Sequence, residues 1–260
     1  MRALLLNINA DPGNDARVAT AIALANAMAA HVICIQVLPP PFVVGDVAAT
    51  VTVPEAMDVI ERAAQDVQDK IEIRLGQAGL ERTWLRPYGD VAATIVSHAR
   101  LADLILLSAE DSVPPVSSIA LNARPPVLTT PRQGAAFTVE TSALIAWNGS
   151  FAAADALRAA VPLLREMESI RIVSVDGDND EFPAASAADY LSHYALQADV
   201  HWRRSEGETV AETILAIAGE FGSGLIVAGA FGHNIVREML LGSVTRELLR
   251  RSPLPLFLAH

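Results

Sequence analysis

Two tandem α/β domains, each a doubly wound five-stranded parallel sheet with helices on both faces, are predicted for this 260-residue chain by three observations. Apolar, β-branched runs alternate with alanine-rich amphipathic segments, the order expected of parallel strands joined by crossover helices. The pattern occurs twice, at a separation of about 120 residues. A short polar link at Pro131-Arg132-Gln133-Gly134 separates the two occurrences, which gives domains at 1–133 and 134–260.

The elements follow in register. Leu4-Leu5-Leu6-Asn7-Ile8-Asn9 opens the first domain as a strand, and Ala143-Leu144-Ile145-Ala146-Trp147-Asn148 opens the second. Helices are expected over 15–30 and 151–167, then strands over 31–37 and 170–175. The stretch 54–79 carries Glu61, Arg62, Asp66, Asp69 and Lys70 on polar positions and reads as a solvated helix that covers the sheet. Trp84, Arg86 and Gly89 of the first domain match Trp202, Arg204 and Gly207 of the second, and each set leads through a helix-like stretch to a strand, 103–107 or 224–228. Right-handed crossovers then wind each domain on both faces of its sheet. Pro253 and Pro255, just before Leu256-Phe257-Leu258-Ala259, suit an edge strand.

Composition narrows the function. A hydrophobic content of 52% suffices for buried cores, while a net charge of −11 argues against nucleic acid and anionic membrane as partners, since both attract clustered cations. Lys70 is the sole lysine, so a Walker-type Gly-Lys-Ser/Thr loop is excluded. Cys34, the one cysteine, lies in an apolar run and reads as a buried, inert thiol. The apolar start is too short for a signal peptide and no apolar run reaches membrane-spanning length, so a cytoplasmic location is expected.

The chemistry concentrates near the C-terminus. After the strand-like Leu225-Ile226-Val227-Ala228 come Gly229 and Gly232, expected to turn with positive φ and to admit a bulky anion, and then Gly242-Ser243 before a helix over 244–251. Ser243 is expected to cap that helix, whose N-terminus offers free N–H groups and the positive end of its dipole to a phosphate. Arg237 and Arg246 stand near enough in sequence to add charge, and His233 is the one histidine beside the loop. At the end of the first strand of this domain, Asn148-Gly149-Ser150 reads as an Asx-type turn and helix cap. Asp176-Gly177-Asp178-Asn179-Asp180-Glu181 has the spacing of a calcium loop but lacks its glycine and closing Glu, and reads as a solvated acidic loop.

Gly229-x2-Gly232-x9-Gly242-Ser243 resembles the nucleotide-binding signature of the universal stress proteins. The resemblance implies the adenine nucleotide alpha hydrolase-like form of the α/β fold and an adenine nucleotide, ATP or AMP, as ligand, with Mg2+ left open. It gives Gly229 and Gly232 the passage under ribose and phosphates, Gly242, Ser243 and Val244 the phosphate, and Ala146, Asn148 and Val175 the adenosine end. The family usually has an acidic residue where Asn148 stands; an amide keeps a hydrogen-bonding tip and removes a negative charge. Related proteins pair through their last strands, which implies an internal pseudo-dimer here and leaves a homodimer of whole chains open.

The first domain departs from this pattern. Ser108 replaces Gly229, Asp111 replaces Gly232, Pro114-Pro115 interrupts the loop, no Gly-Ser pair follows, and Ser117-Ser118 is expected to cap a short turn. This domain is therefore expected to be a degenerate copy without nucleotide. No catalytic motif is present and catalytic residues are not assigned, so an enzyme is uncertain and at most a slow ATP hydrolase. The expected function is a nucleotide-dependent stress-response regulator with an unidentified protein partner; the alternative is a stress scaffold that acts through partners and holds no nucleotide.

Overall fold

A computed structural model describes residues 1–40, 53–109, 116–131, 137–177, 179–230 and 242–260. The first half contains β1 (Ala3–Asn7), α1 (Asn14–Met28), β2 (His31–Ile35), α2 (Val53–Gln77), β3 (Arg82–Leu85), α3 (Val91–His98), β4 (Leu104–Ser108), α4 (Val116–Asn122) and β5 (Val127–Thr130). The second contains β6 (Ser142–Ala146), α5 (Phe151–Leu164), β7 (Ser169–Val175), α6 (Ala184–Ser192), β8 (Ala198–Arg203), α7 (Val210–Glu220), β9 (Ser223–Gly229), α8 (Ser243–Arg251) and β10 (Leu256–Ala259). The expected boundary at 133/134 lies outside the described residues.

Within each half the five strands are parallel, in the orders β3-β2-β1-β4-β5 and β10-β9-β6-β7-β8. The two halves are tandem α/β units of the expected doubly wound kind. They do not end as separate sheets: β5 and β10 run antiparallel with Leu256 opposite Thr129, Phe257 opposite Leu128 and Leu258 opposite Val127, which closes one sheet of 10 strands. β10 is the outermost strand of its own half, as its prolines suggested, and the pairing of last strands that the resemblance implies covers it with β5, giving an internal pseudo-dimer. Pro253 and Pro255 precede the strand, where no ladder N–H is required of them, and the Pro255 carbonyl still accepts from the Ile226 N–H at 3.0 Å.

Alternation along the strands sorts side chains to two faces. Leu4, Leu6, Leu128, Ile145, Val227 and Phe257 pack against α1, α2, α5 and α6 through Val18, Leu24, Ile71, Leu75, Leu157 and Leu191. Leu5, Ile105, Val127, Leu144, Ile226 and Leu258 pack against α3, α4, α7 and α8 through Ile95, Ile119, Ile214 and Leu249. Each face thus carries one apolar layer that runs through both halves. Ser117 and Ser118 lie inside α4 rather than capping a turn, since Val116, Ile119 and Ala120 give that segment a helical apolar stripe.

The outer strands β3 and β8 are treated differently. Glu72 of α2 accepts from Arg82 Nε at 2.8 Å and from the Trp84 indole N–H at 3.0 Å, which fastens the 25-residue helix to β3. The corresponding Trp202 on β8 is 68% exposed, because α6 has only nine residues. The repeat in register is otherwise kept: Gly89 and Gly207 both take positive φ, 153° and 98°.

Cys34 is fully buried in β2, and burial pushes its thiol up to about 12. At about pH 8 the thiolate fraction is on the order of one in ten thousand. The folded protein is accordingly expected to resist iodoacetamide, with one thiol alkylated only after unfolding in guanidinium chloride; mass spectrometry of the treated protein reads the difference.

Candidate functional site

The C-terminal half places its first and fourth strands, β6 and β9, side by side, and their carboxyl ends open onto one cavity. Ala146, Asn148, Val175, Gly229, Gly242, Ser243 and Val244 all line it. Gly232, His233 and Arg237 lie outside the described residues. Trp147, Val210, Ile214 and Thr245 also line the cavity and were not singled out by sequence, as does Ser150, expected there only as a cap. A signal for two of them was present: Val210 follows the helix-capping Thr209, and Thr245 sits in the first turn of the helix that Gly242-Ser243 opens.

Local chemistry explains the shape of the cavity. Asn148 Oδ1 accepts from the Ser150 N–H at 3.1 Å, which makes the expected Asx turn, and Gly149 holds φ at 71°. Ser150 then caps α5, its Oγ accepting from the Ala153 N–H at 3.2 Å. Gly229 does not turn with positive φ; it is the last residue of β9. A Cβ on Gly229 would stand 2.7 Å from the Ala152 carbonyl carbon and 2.8 Å from the Ala153 nitrogen. This glycine is needed because the backbone of α5 crosses directly over the strand end, a reason of tertiary packing rather than of φ.

The cap of α8 is also displaced by one residue. Gly242, in extended conformation at φ −54° and ψ 148°, is the N-cap without a side-chain hydrogen bond, and Ser243 is the first helical residue. The first intrahelical bond runs from the Arg246 N–H to the Gly242 carbonyl at 3.0 Å. The N–H groups of Ser243, Val244 and Thr245 consequently have no acceptor inside the helix. Thr245 Oγ1 donates to the Gly229 carbonyl at 2.8 Å and ties this first turn to the end of β9. Two helix N-termini, those of α5 and α8, thus flank Gly229, and among the described residues the lining contains no charged side chain. Both termini present the positive end of a helix dipole to the cavity. Among the described residues no group of three or more acidic, His or Cys side chains is placed to hold a metal ion.

The same place in the N-terminal half is filled. Arg17, on the buried stripe of α1 with Ala21 and Leu24, is fully buried and projects beneath the strand ends. Its Nε donates to the Asn7 carbonyl at 2.6 Å, Nη1 to Asp11 Oδ2 at 2.6 Å and to Ser108 Oγ, and Nη2 to the Asn9 carbonyl at 2.9 Å and Asn14 Oδ1 at 3.0 Å. Asp11 Oδ1 accepts in turn from Ser108 Oγ at 2.9 Å and from the Gly13 N–H at 2.7 Å. Burial pushes the Arg17 pKa down from its ordinary value and Asp11 opposes that shift. In α5 the corresponding turn carries Ala152, Ala153 and Ala154, which leave the space open. Asp111, which stands where the C-terminal half has Gly232, lies outside the described residues. The sequence signal that was missed is a cation at position i of an apolar i, i+4, i+7 stripe.

Residues 142–260 match the model of the universal stress protein family. The whole chain is similar in structure to a universal stress protein from Archaeoglobus fulgidus, with TM-score 0.79 and 18% identity over 99% of this chain and 97% of that one. It is also similar to a putative universal stress protein from Pseudomonas aeruginosa, with TM-score 0.68 and 13% identity over 100% of this chain and 93% of that one. At such identities the likeness is one of fold. No curated protein matches this chain.

Three stability measurements follow. Gly229→Ala must push against α5 backbone and is expected to lower the unfolding free energy by about 1–3 kcal/mol. Gly219→Ala, in α7 with nothing within 4 Å of the added Cβ, is expected to raise it by about 0.5–1 kcal/mol. Arg17→Met leaves Asp11 without its buried partner and is expected to cost about 3–5 kcal/mol. Urea unfolding followed by circular dichroism reads all three.

Proposed function

We propose, for a chain whose residues 142–260 carry a universal stress protein domain, that this domain binds an adenine nucleotide in the cavity between β6 and β9. Occupancy of the cavity then regulates how the protein meets a partner under stress. Ala146, Asn148 and Val175 hold the adenosine end, Gly229 and Gly232 form the passage under ribose and phosphates, and Gly242, Ser243 and Val244 receive the phosphate. The N-terminal domain, 1–133, is a copy without nucleotide, and the domain 134–260 carries the site.

The observation that supports this reading best is the pair of helix N-termini that converge on Gly229, with no charged side chain in the lining among the described residues. Orphan N–H groups in that arrangement solvate an anion that side chains do not have to neutralise. The apolar part of the lining, Val173, Val175, Val210 and Ile214, suits a planar base. ATP and AMP both fit this chemistry, and Mg2+ would enter with the phosphates rather than through a protein cluster.

Ser243→Pro is the direct test. Proline is well placed at a first helical position, and the extended Gly242 before it accommodates the ring, so the helix stays while one N–H and the hydroxyl are lost. Titration calorimetry is expected to show ATP weakened at least tenfold, about 1.4 kcal/mol, with adenosine and the unfolding midpoint little changed. Wild-type protein that shows no saturable signal at millimolar ATP would favour the scaffold without nucleotide.

A further inference from the structure

The two halves place the same residue types at the ends of their first two strands and use them differently. Asn9 and Asn148 follow β1 and β6, while Val37 and Val175 stand at the matching ends of the second strands. In the C-terminal half the Asn148 carboxamide turns back to its own loop through the Ser150 N–H. Among the described residues no side chain bonds the main chain of Val175, which faces the cavity.

In the N-terminal half the Asn9 carboxamide crosses to Val37 instead. Its Nδ2 donates to the Val37 carbonyl at 2.7 Å, and its Oδ1 accepts from the Val37 N–H at 3.0 Å. One planar group, with an acceptor beside a donor, satisfies both peptide groups of one residue. The amidine edge of a 6-aminopurine, ring nitrogen beside amino group, offers that same pair in the same order. A hollow remains next to it, lined by Asn9, Val37, Pro39, Gly89, Asp90 and Val91, and Val91 holds the place that Val210 holds in the C-terminal cavity. The far end of this half is closed by Arg17 and Asp11, an ion pair at 2.6 Å.

We propose that the N-terminal half retains a second base site that is self-ligated, with the Asn9 carboxamide as its internal ligand on Val37. The ligand class it takes, once Asn9 is removed, is an adenosine-like base without phosphate, because the Arg17–Asp11 pair occupies the place where an anion would lie. The choice of adenosine as probe rests on the nucleotide reading of the C-terminal cavity; the hydrogen bonds from Asn9 to Val37 do not.

The test counts adenosine bound by the full chain, by equilibrium dialysis, in wild type and in Asn9→Ala. The expected result is one more equivalent in the variant than in wild type. Asn9→Ser is the second variant, since a hydroxyl cannot reach both Val37 groups and a polar residue suits this partly exposed position; thermal melts establish that each variant is folded. Inosine, with a ring N–H beside a carbonyl, presents the pair in reverse and is expected not to fill the extra site. Equal counts in wild type and both variants would overturn the proposal, as would an extra site that takes inosine as readily as adenosine. A wild-type count of zero with a variant count of one would reject the C-terminal reading and leave this one standing.

Discussion

Everything in this molecule is arranged about the antiparallel pairing of β5 with β10. A doubly wound five-stranded unit ends in a strand with unpaired N–H and C=O groups along one side, and such an edge invites association. Here each half presents its last strand to the other, so both edges vanish in one step. The side chains at the join are fully buried, Leu128 and Phe257 on one face and Val127, Leu256 and Leu258 near or at zero exposure on the other. Two apolar layers therefore run through the whole chain, and the halves cannot part without opening both.

That join leaves the carboxyl ends of β1 and β4 in one half, and of β6 and β9 in the other, free to build cavities from equivalent parts. What distinguishes them is charge and bulk at one helix face. α1 directs a guanidinium and the carboxylate it binds into the space, while α5 offers alanines and comes so near β9 that only glycine fits beneath it. A small residue on one side and a large cation on the other turn the same scaffold into an open and a closed site. The close approach of α5 also brings its free N–H groups toward those of α8, so two helix N-termini face one open cavity.

The outer strands show the same economy in a different form. α2 is long because it must reach over β3, where Glu72 takes the hydrogens of Arg82 and Trp84 and holds its own carboxyl below the ordinary range through the Arg82 bond. The helix that packs on β8, α6, is much shorter, and Trp202 stands exposed on that strand. The two halves thus keep one topology while differing in how each outer strand meets solvent.

Much of this could be read from the residues alone. Apolar periodicity is a local property, so the strands, the helices, their repeat in two halves and the cluster of Ala146, Asn148, Val175, Gly229, Gly242, Ser243 and Val244 were all legible from spacing or resemblance. Beyond the pairing of last strands that the resemblance implied, the sequence could not supply what depends on which surfaces meet. Gly229 looked like a turn residue, yet the helix backbone above it is the reason for its missing side chain. Pro253 and Pro255 suggested an edge and resemblance implied that the last strands pair, but the register, Phe257 opposite Leu128, was not legible. Arg17 gave no motif, because its partners Asn7, Asn9, Asp11 and Ser108 come together only when β1, β4 and α1 pack. Local pattern is written along the chain, whereas contact between distant segments exists only in the folded state, and the difference between the open and the filled cavity belongs to the second kind.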